Sequence, residues 1–159
     1  MNLKELIAKG ESETLEFKKS LSEWREMVET VSAFSNTKGG TIVVGISNDG
    51  KIHGVTIGKN TIEDLTNKIL INTEPKIYPE ITMATLEEKK IILIKVEKFP
   101  YDVVLAFGRP FKRVGKSTVR MSKDEYKKSI LEIHRKELYF DGQILEAVSY
   151  THLTLPTKA

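Results

Sequence analysis

The chain contains no cysteine. Disulfides, thiolate metal sites and a cysteine nucleophile are therefore excluded. Histidine is scarce: His53, His134 and His152 are scattered, none with a partner at metal-ligand spacing, so zinc is not expected. No apolar run approaches the roughly 18–20 residues of a spanning helix, so no membrane partner is expected. The first residues, Met1-Asn-Leu-Lys-Glu-Leu6, place an acid where a signal peptide carries its apolar core. The expectation is a soluble, cytoplasmic protein.

What is present suits one globular domain: 159 residues, 40% hydrophobic and 30% charged. Net charge is only +3, yet its distribution is uneven. Arg109 to Lys128 holds eight basic and two acidic side chains, while the remainder carries 17 basic and 20 acidic. A local excess of this kind suits a polyanion. The alternative is an ordinary solvated surface.

Ser20-Leu-Ser-Glu23 has capping-box spacing. Leu21, Trp24, Met27, Val28, Val31 and Phe34 then recur at helical steps, and Lys38-Gly39 fits a helix end. Thr41 to Ile46 is apolar on both faces and reads as a central strand. Asn48-Asp-Gly50 signals a turn, with Lys51 to Val55 as a short partner strand. A second helix is expected from Thr61 to about Asn72, stopped by Glu74-Pro75. Ile77 to Leu86 and Lys89 to Val96 read as a strand pair, and Val103 to Ala106 as a short strand. Pro110 to Val114 and Ser117 to Met121 form a hairpin around Gly115-Lys116. Ser122 to Glu125 caps a last helix. The fold class is α+β, a single domain with a mixed β-sheet and flanking helices.

From Val148 onward the chain loses all amphipathic pattern and resembles a translated sequencing-adapter scar. The expected division is a domain over 1–140, the start of a truncated downstream region over 141–147, and a non-native tail over 148–159. The natural protein is expected to continue past about Ala147.

Two motifs are decoys. Gly115-Lys-Ser117 ends like a phosphate-binding loop, but Pro110 stands where that loop needs a glycine, and strand follows in place of helix. Gly39, Gly40 and Gly45 run helix, glycines, strand, the reverse of a dinucleotide fingerprint. Their expected role is to close the helix and allow close backbone packing.

Two constellations carry candidate chemistry. Glu11, Glu13 and Glu16 lie close together, and Asp49 follows the central strand. Converging, these carboxylates could hold magnesium or manganese and activate water against a phosphodiester, with Lys18 neutralising phosphate. The alternative is solvated acids, with Asp49 serving its turn. The hairpin is the second constellation. Strand alternation puts Lys112, Val114, Ser117, Val119 and Met121 on one face, and Phe111, Arg113, Thr118 and Arg120 on the other. The second set, two arginines beside an aromatic ring, is the expected surface for phosphate contact and base stacking. Lys116, Lys123, Lys127 and Lys128 extend its charge.

Four blocks occur in order: Glu11-Ser-x-x-Leu-Glu16-Phe17-Lys18; Val31-Ser-Ala-Phe-Ser-Asn-Thr-Lys-Gly39-Gly40-x-Ile-x-Val-Gly45-Ile; Asp49-Gly-x-Ile-x-Gly54; and Arg113-Val-Gly115-x-Ser117-Thr-x-Arg120. Over about residues 10 to 135 the chain resembles the Schlafen AlbA-type DNA-binding domain. The resemblance implies an N-terminal module of a larger bacterial protein, similar to divergent-AAA ATP-binding proteins and transcriptional regulators. Its partner is expected to be nucleic acid, DNA favoured and RNA possible, with no cofactor required. Lys18, Lys19, Phe111, Arg113, Lys116 and Arg120 are the expected contacts. Relatives that cleave tRNA and rRNA imply an alternative, a metal-dependent endoribonuclease. Its acidic triad would fall on Glu11, Glu16 and Asp49, either Asn48 or Asp49 taking the third place. Such nucleases use two lobes, so a single lobe would need a homodimer or the missing region. A third reading is an interaction module dimerising through sheet edges or the Trp24 helix.

Overall fold

Ser20 starts the first long helix, as its spacing requires. Its side chain accepts from a backbone N–H, and Glu23 reaches back to the Ser20 N–H at 3.2 Å. The computed structural model describes residues 2–148, with side chains over 2–136. Residues 149–159, with His152 and nearly all of the expected tail, lie outside the described residues. The chain divides after Ser122 into two units, described separately.

The first unit runs α1 (Leu3–Lys9), β1 (Leu15–Lys18), a 3-10 turn (Leu21–Glu23), α2 (Trp24–Asn36), β2 (Gly40–Val44), α3 (Thr61–Asn72), β3 (Thr73–Glu74), β4 (Glu80–Leu86), β5 (Lys89–Val96), β6 (Leu105–Ala106), β7 (Arg109–Val114) and β8 (Ser117–Arg120). The second is α4 (Lys123–Val148), with Asp124 and Glu125 in its first turn, where acids suit the helix dipole.

Four strands order as β1-β2-β5-β4, with β1 parallel to β2 and the other pairs antiparallel. This is the mixed sheet expected. A second sheet, β3-β6-β7-β8, is antiparallel throughout. Between them the apolar face of α2 builds the main core. Met27, Val28, Val31 and Phe34 pack with Ile42 and Val44 of β2, Ile92 and Ile94 of β5, and Phe111 of β7. On the opposite side of the first sheet, Ile7 of α1 joins Leu15, Phe17, Val43 and Ile46. Strand β2 is therefore buried on both faces, which is why its sequence does not alternate. Each such side chain contributes about 1.5–3 kcal/mol on burial.

Gly39 and Gly40 join α2 to β2 as their type demands. Gly39 has φ +79°, and a Cβ there would meet the Val96 carbonyl oxygen at 2.8 Å. At Gly40 a Cβ would strike the Phe34 ring at 2.8 Å. Any side chain at either position would push the helix off the sheet.

Two expectations are corrected. Lys51 to Val55 forms no strand; only Ile46 and Ile52 bridge, because the N–H groups of His53 and Gly54 both turn to the Gly45 carbonyl. The strand expected from Ile77 begins at Glu80. Helix α1, capped by Asn2, was not anticipated.

Candidate functional site

The β7–β8 ribbon has the expected register: Val114 opposes Ser117, Arg113 opposes Thr118, and Phe111 opposes Arg120. Its faces are reversed at Phe111, Arg113, Val114 and Val119, while Arg120 is exposed and Met121 buried as expected. Phe111 and Arg113 are 8% and 4% exposed, whereas Val114 and Val119 are 52% and 39% exposed. Phe111 belongs to the main core, so it is closed to base stacking.

Arg113 is turned inward because the interior holds partners for it. Its side chain has no exposed surface, and Nη1 lies 2.6 Å from Glu16 Oε1 of β1. Nη1 also donates to Thr118 Oγ1 at 2.9 Å, and Nη2 donates to the carbonyls of Ser12 at 2.9 Å and Leu15 at 3.1 Å. The guanidinium sits 5.0 Å from the centre of the Phe34 ring. Only Nε lacks a partner. A guanidinium so enclosed is a structural tie between the two sheets, and the expectation that Arg113 meets phosphate is corrected.

Helix α2 places this ribbon through two polar side chains one turn apart. Asn36 accepts from the Val104 N–H at 2.7 Å and donates to the carbonyls of Val104 and Phe111, both at 2.9 Å. Ser32 donates to the Val104 carbonyl at 2.8 Å and accepts from the Phe111 N–H at 3.2 Å. Together they bridge Val104 and Phe111, where the short β6–β7 pairing ends at Leu105 and Pro110. Sequence reading missed this brace. Its only signal was polar residues on an otherwise apolar helix face.

The acids divide. Both oxygens of Glu16 are engaged, Oε1 by Arg113 and Oε2 by Lys18 at 3.2 Å. Lys18 also pairs with Glu26 of α2 at 3.0 Å and is 12% exposed, so it serves its own acids and is corrected as a phosphate contact. Burial works against the Lys18 charge, but the hydrogen bond to Glu26 and the charges of Glu16 and Glu26 outweigh it, and its pKa is raised. Glu11 accepts from the Phe17 N–H at 3.0 Å. Burial pushes its pKa up against that hydrogen bond, and the Glu16 charge adds to the rise.

Asp49 stands apart on its turn. It accepts from Ser47 Oγ and from the Lys51 N–H, which hold its carboxyl below the usual range. His53 Nε2 lies 3.1 Å from Ser47 Oγ. Since that hydroxyl already donates to Asp49, His53 is the donor, and the trio is no nucleophile–base pair. Glu13 pairs with Lys38 at 3.0 Å. Among the described residues no three histidine, aspartate or glutamate side chains could hold a metal ion. Glu11, Glu16 and Asp49 thus do not assemble the three-acid site that the resemblance implies.

Lys19, Arg109, Lys116 and Arg120 are exposed. Residues Arg109 to Met121 contain no acid. The exposed cations therefore lie at the two ends of the ribbon, Lys116 at its tip and Arg109 and Arg120 at its open end, where they share the alternation set of Phe111 and Arg113. Val114 and Val119 are exposed on the opposite face.

No helix among the described residues is long and apolar enough to cross a membrane. Comparison with known proteins places this geometry in context. The model of the family described as Schlafen, AlbA_2 matches residues 11–122. No curated protein matches the chain. Among solved structures it is similar to the DIP2311 protein from Corynebacterium diphtheriae, with TM-score 0.60 and 18% identity over 74% of this chain and 23% of that one. It is also similar to the N-terminal domain of an ATP-dependent DNA helicase RecG-related protein from Nitrosomonas europaea, with TM-score 0.49 and 22% identity over 62% of this chain and 74% of that one.

Proposed function

The chain belongs to the Schlafen, AlbA_2 family, and from that premise we propose that it binds nucleic acid, DNA in preference to RNA, through the exposed cations of the β7–β8 ribbon. The observation that carries the reading is the acid-free stretch Arg109 to Met121, folded so that Arg109, Lys116 and Arg120 remain exposed. Cations on a two-stranded ribbon suit a B-form duplex, whose major groove admits such a ribbon. The deep, narrow major groove of A-form RNA does not. Lys116, at the two-residue tip, and Arg120 are the phosphate contacts of this reading, with Lys19 as a third cation. Val114 and Val119, exposed on the other face, are available for apolar contact. We read the domain as one module of a longer regulator or ATP-binding protein.

The test is fluorescence anisotropy of a labelled DNA duplex across a salt series. Affinity is expected to fall with a log–log slope of about −0.9 for each phosphate neutralised. Binding that ignores salt, or none at low salt, overturns the reading. The nuclease alternative gains no support from the site. Both Glu16 oxygens are held by cations, and Asp49 is committed to its turn. The residues present therefore do not fit a catalytic metal ion.

A further inference from the structure

A second surface is formed where α2 begins. Trp24 and Phe107 pack with ring centres 6.2 Å apart and planes inclined at 54°. Both rings are partly exposed. The Arg25 guanidinium lies 4.9 Å from the centre of the Trp24 ring and 5.5 Å from that of Phe107, and Lys68 Nζ lies 4.9 Å from the centre of Trp24. A hollow of about 200 Å³ opens beside Trp24, bordered by Leu21, Asp64 and Lys68. Another of about 390 Å³ opens beside Phe107, bordered by Asn72 and Lys76.

Phe107 reaches this place at a cost. It and Gly108 form the two-residue turn between β6 and β7, with φ of +53° and +77°. Such a turn favours asparagine followed by glycine, and a bulky aromatic there is an outlier. Its N–H is anchored to the Asn72 carbonyl at 2.9 Å. The ring joins a tryptophan that Arg25 and Lys68 already flank.

The chemistry restricts the guest. Two cations beside the rings reject another cation and favour negative charge. The partly exposed rings favour a flat π system. A nucleotide meets both demands, with a planar base and an anionic phosphate. Arg25 and Lys68 are exposed side chains, free to move from ring to phosphate, and Asp64 can accept from an exocyclic amine.

We propose that Trp24 and Phe107 form a stacking platform for the bases of a single strand, with Arg25 and Lys68 taking its phosphates. This rests on the nucleic-acid reading above and adds a second site to it: duplex on the ribbon, unpaired bases on the platform. The chain could then hold a duplex together with an unpaired flank.

Trp24 is the chain's one tryptophan, so its fluorescence reports the platform directly. The experiment titrates the protein with labelled oligo(dT), oligo(U) and a blunt duplex, following label anisotropy and tryptophan emission together. The single strands are expected to bind and quench Trp24, and the oligo(dT) and oligo(U) arms decide between DNA and RNA. The duplex should bind with little quenching. Trp24→Leu should weaken single-strand binding about tenfold, the lower range of one stacked base. Phe107→Asn removes the ring while suiting the turn, so it should keep the fold and still weaken single strands severalfold. Single strands that bind without quenching, or equally well to Phe107→Asn, overturn the platform and leave the ribbon standing. Duplex binding with no single-strand binding does the same. Binding of neither overturns both.

Discussion

The buried and the exposed cations of the β7–β8 ribbon are put to opposite use. Inside, Arg113 is enclosed by Glu16, Thr118 and two backbone carbonyls, so its charge is spent within the molecule. Lys116 at the tip and Arg120 at the open end stay exposed. A buried cation whose partner is removed leaves an uncompensated charge, whereas exposed cations cost the fold little to change. The same motif therefore mixes a structural arginine with candidate binding residues, and substitution should separate them.

The largest effect is expected inside. Arg113→Ala takes from Glu16 one of its two cations and opens a gap beside Phe34, so stability should fall by about 3–5 kcal/mol in denaturant unfolding. DNA affinity, measured on the fraction still folded, should not change. A variant of full stability with weakened binding would reverse the assignment of buried and exposed cations.

Next comes the brace. Asn36→Ala leaves the Val104 N–H and the Phe111 carbonyl without their side-chain partner, while the Val104 carbonyl keeps Ser32. Each unsatisfied buried group costs about 1–3 kcal/mol, less whatever water recovers. Hydrogen exchange should rise first at Val104 and Phe111. Protection lost uniformly across the first sheet would mean that Asn36 does not act on the ribbon in particular.

The exposed cations should respond in binding alone. Lys116→Glu with Arg120→Glu should shorten the salt slope for duplex DNA by about 2, since each phosphate contact contributes about 0.9. Affinity at moderate salt should drop at least tenfold, with unfolding changed by no more than about 0.5 kcal/mol. An unchanged slope would remove the ribbon as the DNA surface.

Much of this fold was legible before the structure. The capping box at Ser20, the double glycine and the Gly115-Lys116 turn are local signals, and each element formed where its signal stood. Ribbon register was equally local, fixed by the turn. Which face lies inside was not. Alternation sorts residues into two sets without naming the buried one, and composition favoured burying Val114 and Val119 over Arg113. The answer lay in Glu16, a partner remote in sequence that only folding brings near. Asp49 fails for the mirror reason: its neighbours Ser47 and Lys51 satisfy it locally, and nothing draws it toward Glu11.

The smallest effect tests the margin of the buried cation's site. Glu11 holds its proton more tightly in the folded chain, chiefly because it is partly buried. Above the ordinary carboxylate range, the native state therefore binds more protons than the unfolded one, and stability should fall as pH rises through that window. Glutamine at this position carries no such proton and can still accept from the Phe17 N–H. Glu11→Gln should flatten that part of the stability profile and raise the denaturation midpoint slightly at neutral pH. Unfolding curves from about pH 4 to pH 8 will show it. A clear loss of stability at neutral pH would mean that the Glu11 charge helps Glu16 hold Arg113 and Lys18, making the buried arginine's tie a cluster of two acids.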